Sequence, residues 1–351
     1  MLPQDSLAQH IEEEFEQANI LYRRAIGSIF FSSVAIVVLL FLNIYGARYV
    51  LDHFSLSPTP YSTALFVLLP FLAGVFPVAF YGIKQSPSWP FSLLLGILTL
   101  LLIGLELLFF KFEGLLCLLM AAPLGIVMAL IGASATYLFF KTIRPQDYKI
   151  KNMFFSIVFV LPLLMLAEKH PLPLPLHHVT TSIEVSAPAQ EVWKNVIAFP
   201  KLKEPSVWWF KAGIAHPKGA IIKGKGVGAI RYCQFTTGPF VEPITHWNPP
   251  HHLGFDVASQ PPSMKELSPW GDIHPPHLDN YFQSKRGQFI LTPLKNGKTK
   301  IEGTTWYTVD IWPQAYWTMW SNLLIHAIHY EVLNHIKTQV EQKNTKEISH
   351  A

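Results

Sequence analysis

Between positions 26 and 140 the chain carries only six charged side chains in 115 residues. Such a stretch has too few polar groups to face water, so this half of the chain is built for lipid. Apolar runs fall at 26–46, 61–82, 91–110, 115–140 and 153–167. A helix needs about 20 apolar residues to cross the hydrocarbon, and the first four runs are long enough. The fifth has 15 residues and contains Pro162, so it spans only if Lys151, Asn152 and Glu168 sit at the interfaces. The whole-chain figures of 50% hydrophobic and 14% charged average two kinds of sequence. Residues 1–178 hold 10 basic and 10 acidic side chains, whereas 179–351 hold 17 and 13. Disorder, a collagen-like chain and a disulfide scaffold are excluded.

The leader before the first run is acidic (Glu12, Glu13, Glu14, Glu16), and further runs follow, which is unlike a cleavable signal peptide. Residues 5–22 read as a short amphipathic helix ahead of the first span. Arg23, Arg24, Lys84, Lys141, Arg144, Lys149 and Lys151 put seven positive charges on one side, against Arg48, Lys111 and Lys169 on the other. Positive charge stays inside, so the N-terminus is expected in the cytoplasm. If 153–167 spans, the C-terminal part is extracytoplasmic, which in a bacterium means periplasmic; if it does not, that part stays in the cytoplasm. The spanning alternative is preferred. Glu106 is the one ionisable residue well inside a run. It lies near a helix end, where it is expected to reach the interface. The membrane half reads as an anchor.

The stretch 170–177 alternates proline with leucine and reads as a semi-rigid spacer of ~20–25 Å at ~3.1 Å per residue. Thr181, Ile183 and Val185 then alternate with polar residues as a first strand. Pro188 suits the first turn of a helix, for which Val192, Trp193, Val196 and Ile197 give an apolar face, and a shorter helical turn follows near 200–204. Strands are predicted at 208–215, 227–235, 240–247 and 253–258. Residues 259–285 are irregular and proline-rich. Strands at 287–292 and 299–309 flank Lys295-Asn-Gly-Lys298, a strong hairpin signal. A long helix runs from Pro313 to about Val340, and 342–351 form a polar tail.

This order, with Ser186-Ala-Pro-Ala-Gln-Glu-Val-Trp193 directly after the first strand, resembles the START-like superfamily (SRPBCC: lipid-transfer domains, polyketide cyclases and pollen-allergen-like proteins). The resemblance covers residues 179–341 and none of the membrane half. It implies a helix-grip fold, in which an antiparallel sheet curls around the C-terminal helix and leaves a cavity for a hydrophobic ligand. The expected fold class is therefore a helical transmembrane bundle of about five spans, followed by an α+β helix-grip domain. The loop at 259–285 looks longer than in a minimal member.

Candidate cavity residues are Arg231, Phe235, Glu242, His246, Phe255 and Tyr307 on the strands. On the last helix, Tyr316, Trp320, Leu323, Leu324, Ala327, Tyr330, Glu331 and Asn334 share one face by angle. Large rings with polar tips suit an amphipathic guest, and equally an ordinary core stripe. Arg231 and Glu242 are near-opposite if 236–239 closes a hairpin; inward they orient a ligand head, outward they form a surface pair. Met264, Glu266 and Trp270 are lid candidates, the alternative being a loop packed on the sheet.

Thirteen of 15 histidines lie at or after position 170. Neither the group Asp272, His274, His277 and Asp279 nor the helical pair His326 and His329 shows a third ligand at a metal spacing, so no metal and no cofactor are expected. Cys233 and His246 sit on neighbouring predicted strands without any mark of activation. Gly224-Lys-Gly-Val-Gly228 precedes a strand, not a helix, and reads as a turn. A net charge of +4 with no basic run argues against nucleic acid. Cys117 and Cys233 are not expected to pair. Three readings follow: a membrane-anchored binder of a lipid or other hydrophobic small molecule; a cyclase- or hydrolase-like enzyme using Arg231, Glu242, His246 or Glu331; and a ligand-sensing membrane module. The bilayer is the expected partner of the apolar half.

Overall fold

The computed structural model describes residues 4–42, 61–142, 168, 173–205 and 207–349. The chain divides into two units, one built from the apolar half together with Ser268–Trp270 and one from the remainder beginning at His170. In the first, α1 (Gln4–Phe41) is one continuous helix. The separate amphipathic helix expected at 5–22 does not exist as an element, because no proline or glycine interrupts residues 4–26. A π-turn, Ala64–Leu68, runs into α2 (Leu69–Gly82), followed by α3 (Trp89–Phe109) and α4 (Leu115–Thr142). Four helical stretches, Glu12–Phe41, Ala64–Gly82, Trp89–Phe109 and Leu115–Thr142, are long and apolar enough to cross a membrane. The run at 153–167 lies outside the described residues.

Ile36, Leu39, Leu72, Phe76 and Ile103 form the core of this unit. The contact between α2 and α4 is closer still. A Cβ added at Gly74 would lie 2.0 Å from the Ala129 carbonyl oxygen, and one at Gly132 would lie 2.1 Å from that of Phe71. Only glycine lets two helix backbones approach this far. Glu106 is tied to a neighbouring helix: Ser33 on α1 donates a hydrogen bond to its Oε1 at 2.9 Å.

The second unit opens with β1 (His177–Val185), α5 (Ala189–Ile197) and the short α6 (Trp208–Ala212). Strands β2 (Pro217–Lys223), β3 (Ile230–Phe235), β4 (Gly238–Asn248) and β5 (His252–Asp256) follow. A small pair, β6 (Glu266–Ser268) and β7 (Gly271–Ile273), interrupts the irregular stretch. The unit then runs through β8 (Phe282–Pro293) and β9 (Thr299–Val309) to α7 (Gln314–Ser349).

Seven strands form one antiparallel sheet in the order β1-β9-β8-β5-β4-β3-β2, with β6 and β7 as a separate two-stranded sheet. This sheet with one long C-terminal helix packed on β1 and β9 is the helix-grip arrangement. The β8–β9 hairpin closes at Lys295–Gly297, where Asn296 takes φ 64° and ψ 31°, as the Asn-Gly pair requires. Two expectations fail nearby. The strand predicted at 208–215 is the short helix α6, which ends where Gly213 turns at φ 130°, a value that disfavours any side chain. Strand β2 was missed, since Pro217-Lys-Gly-Ala-Ile-Ile-Lys223 has little period-two alternation.

Register defines the inner face. Ala220 pairs with Cys233, Arg231 with Glu242, and Phe255 with Gly287. Further round the sheet, Phe289 pairs with Gly303 and Ile301 with Ile183. On this face Val185, Ile244, Leu253, Phe255, Phe289, Leu291 and Ile301 join Val332, Leu333, Ile336 and Val340 of α7, with Val192, Trp193 and Val196 of α5, in one core. Leu333 lies over β9: its Cδ1 is 3.9 Å from where a Cβ on Gly303 would sit.

Candidate functional site

Arg231 and Glu242 are directly opposed on β3 and β4, and both are buried. Arg231 Nη1 donates to Glu242 Oε2. The rings of Phe199, Phe255 and Phe289 stand 5.4–5.6 Å from the guanidinium carbon, so the cation lies against three aromatic faces. The surface alternative for this pair is therefore corrected: the pair faces the inner side. Burial alone works against the Arg231 charge, but the carboxylate beside it more than offsets this and keeps the guanidinium protonated. Burial pushes the Glu242 carboxyl up, while Arg231 pulls it down. The Nε of Arg231 has no hydrogen-bond partner.

Two residues away, burial and the Glu242 charge push the Cys233 thiol up to about 12, so it stays a thiol and is no nucleophile. Cys233 also cannot meet His246. The β4–β5 register shifts between Ile244 and His246, and this irregularity leaves Trp247 on the core side. His246 is turned to the convex face, where its ring lies 4.1 Å from that of His252. As a cavity residue His246 is corrected: the bulge reverses the alternation that would have carried it inward. Phe235 and Phe240 remain at the inner edge, 4.9 Å apart.

A second zone lies where the N-terminal half of α7 rests on β1 and β9. The Tyr307 hydroxyl donates to Asn322 Oδ1 at 2.7 Å. Thr181 Oγ1 stands 2.7 Å from His326 Nδ1 and 3.1 Å from His329 Nδ1, and His329 Nε2 is 2.8 Å from Thr305 Oγ1. The two histidines are thus engaged by threonine hydroxyls. Burial, with His326 adding to it, lowers His329 to about 4, and burial raises Tyr307 to about 12. Both are neutral near pH 7.

The helix face expected to line a cavity is rotated from the one that meets the sheet. Asn322, Ile325, His329, Leu333 and Ile336 face the strands, whereas Leu323 and Tyr330 are 52% and 57% exposed and Asn334 is also exposed. Choosing the stripe with large rings and polar tips overlooked that the seat itself is partly polar. Tyr316, Trp320, Leu324, Ala327 and Glu331 are half-buried. Trp320 Nε1 is buried and unpartnered.

Glu331, a candidate from the sequence, belongs to a third zone whose other member, His216, sequence reasoning missed. The His216 ring, 2% exposed, places Nε2 3.9 Å from Glu331 Oε2, and neither that nitrogen nor Trp209 Nε1 nor Thr237 Oγ1 has a hydrogen-bond partner. Burial lowers His216, and Glu331 pulls it back up. Its backbone is fixed by reciprocal bonds with Thr236: the His216 N–H donates to Thr236 Oγ1 at 3.0 Å, and the Thr236 N–H to the His216 carbonyl at 2.9 Å. The Phe210 ring is 5.0 Å away. Nothing local marks His216 in the sequence; it directly precedes the strand that alternation does not reveal.

The irregular loop packs at its first part. Met264 is buried in a bridge to Ile214, and Glu266 is fully buried with its Oε1 3.6 Å from His277 Nε2. Trp270 is exposed. His274 and Asp279 are an exposed pair at 2.8 Å, with Asp272 exposed nearby in sequence.

No protein-family model matches the sequence, and no curated protein matches it. Solved structures are similar over about half the chain. A point mutant of norcoclaurine synthase from Thalictrum flavum with a transition-state analogue is 12% identical, covers 50% of this chain and 99% of its own, and has a TM-score of 0.33. The Zhui aromatase/cyclase from Streptomyces sp. R1128 is 12% identical over 48% and 96%, with a TM-score of 0.32. A START superfamily protein from Mycobacterium smegmatis is 15% identical over 47% and 98%, with a TM-score of 0.31. At scores this low, the helix-grip assignment stands on the strand order, the register and the position of α7.

Proposed function

We propose that this chain is an integral membrane protein whose apolar helices anchor a helix-grip unit that sequesters a lipid or other hydrophobic small molecule. The observation that carries the reading is a set of buried polar atoms without protein partners in the grip unit: Arg231 Nε, His216 Nε2, Trp209 Nε1, Thr237 Oγ1 and Trp320 Nε1. Buried polar groups nearly always find partners, so five orphans in a unit rich in aromatic rings support an amphipathic guest that supplies them. Binding needs no covalent step. The 259–285 loop, with Met264, Glu266 and Trp270, is the proposed cover. The Lys and Arg distribution supports a bacterial inner membrane with the N-terminus in the cytoplasm and the grip unit in the periplasm.

The test is mass spectrometry of organic extracts from the purified full chain, with rebinding of whatever is found. A stoichiometric lipid or other apolar molecule is expected. Neither co-purification nor rebinding of any apolar molecule sinks the proposal.

A further inference from the structure

His216 and Glu331 approach each other but do not bond. Their 3.9 Å separation is too long for a direct hydrogen bond. An oxygen or nitrogen atom about 2.8 Å from each, the ordinary hydrogen-bond length, completes a triangle on that base. The histidine nitrogen is buried and has no hydrogen-bond partner, and an unmet buried donor or acceptor is destabilising. Two further buried polar atoms without partners, Trp209 Nε1 and Thr237 Oγ1, belong to residues next in sequence to Phe210, whose ring packs on His216, and to Thr236, which ties down the His216 backbone.

Charge decides what atom fits. The cation on this inner face, Arg231, is taken up by Glu242. Glu331 therefore stands without a buried counter-charge. Of the charged groups acting on His216, Glu204 adds a second carboxylate and Lys218 opposes it, both at the exposed margin. The balance at the His216 position is negative. A phosphate or carboxylate head would meet Glu331 as a like charge and has no proton to give it. An alcohol donates to the Glu331 carboxylate while accepting from His216 Nε2–H; an ammonium donates to Glu331 and, with the imidazole proton on Nδ1, to His216 Nε2.

Building on the sequestration reading, we propose that the unit selects apolar molecules whose head group donates hydrogen bonds and bears no negative charge, an alcohol or an amine, held between His216 and Glu331.

The experiment uses the full chain, stripped of lipid, and three probes with the same tail: oleyl alcohol, oleylamine and oleic acid. Binding is followed by native mass spectrometry and by tryptophan fluorescence. The alcohol and the amine are expected to bind at least about tenfold more tightly than the acid, about 1.4 kcal/mol. Glu331→Gln should erase that preference while near-UV circular dichroism stays unchanged. His216→Gln, which keeps a polar tip, should weaken the alcohol more than the acid. Oleic acid binding as tightly as the alcohol, or a preference that survives Glu331→Gln, overturns the head-group assignment and leaves sequestration standing. Failure of all three probes to bind overturns this assignment, and sequestration falls with it when no apolar molecule co-purifies with the chain either.

Discussion

The two halves of α7 are seated differently. Its C-terminal half presses Val332, Leu333, Ile336 and Val340 into a core of strand and α5 side chains that also holds the buried Arg231–Glu242 pair. Its N-terminal half is held by the hydrogen bond that Tyr307 donates to Asn322 and by those between His326 or His329 and the hydroxyls of Thr181 and Thr305. Apolar burial supplies energy without direction. Hydrogen bonds contribute less net energy, but they fix which side of the helix faces the sheet. The apolar end sets how firmly the helix is held, and the polar end sets its rotation.

The largest expected effect is at the apolar end. Arg231→Leu leaves the Glu242 carboxylate buried and uncompensated, which should cost about 3–5 kcal/mol; the double variant Arg231→Leu with Glu242→Leu should recover most of it. Urea unfolding of the full chain, followed by tryptophan fluorescence, measures both. A double variant no more stable than the single one would show that the pair is more than a mutual neutralisation.

Acid is the next lever, and it acts on the polar end. His329 sits at about 4 in the folded protein against an ordinary 6.5, so the folded state binds fewer protons there than the unfolded chain. Its contribution is full above pH 6.5 and is lost as the pH falls from 6.5 through 4, for a total of roughly 3 kcal/mol. His329→Asn should flatten that part of the stability profile. An unchanged acid slope in the variant removes His329 from the account.

Tyr307→Phe is the mildest change. It removes one donor and leaves Asn322 unmet, a loss of about 1–2 kcal/mol, and should broaden the tyrosine and tryptophan near-UV signal. If Leu333→Ala broadens that signal equally, the division of labour between the two ends is wrong.

Much of this was legible in the sequence, for local reasons. The β8–β9 hairpin declares itself through Asn296-Gly297, and β9 matches its expected limits because Thr299–Val309 is rich in strand formers with a turn before and proline after. The opposition of Arg231 and Glu242 followed from the hairpin between their strands. What could not be read depends on contacts distant in sequence. The face of α7 that meets the sheet could not be read because it includes Asn322 and His329, which become compatible with burial only beside Tyr307, Thr181 and Thr305. His246 was misassigned because an irregularity at one step of β4 reverses the alternation beyond it. His216 and Glu331 lie 115 positions apart, and no spacing rule links a residue before an unrecognised strand to a helix that far along.

In the first unit, Gly74 and Gly132 have a consequence for movement. A wall that parts to pass a solute must give up the contacts across its seam. At these two points that seam is backbone against backbone, with no side chain of either glycine to rearrange and keep it filled. Sliding or spreading would open a void that neither helix can refill. Whatever motion the unit undergoes, α2 and α4 undergo it as one body.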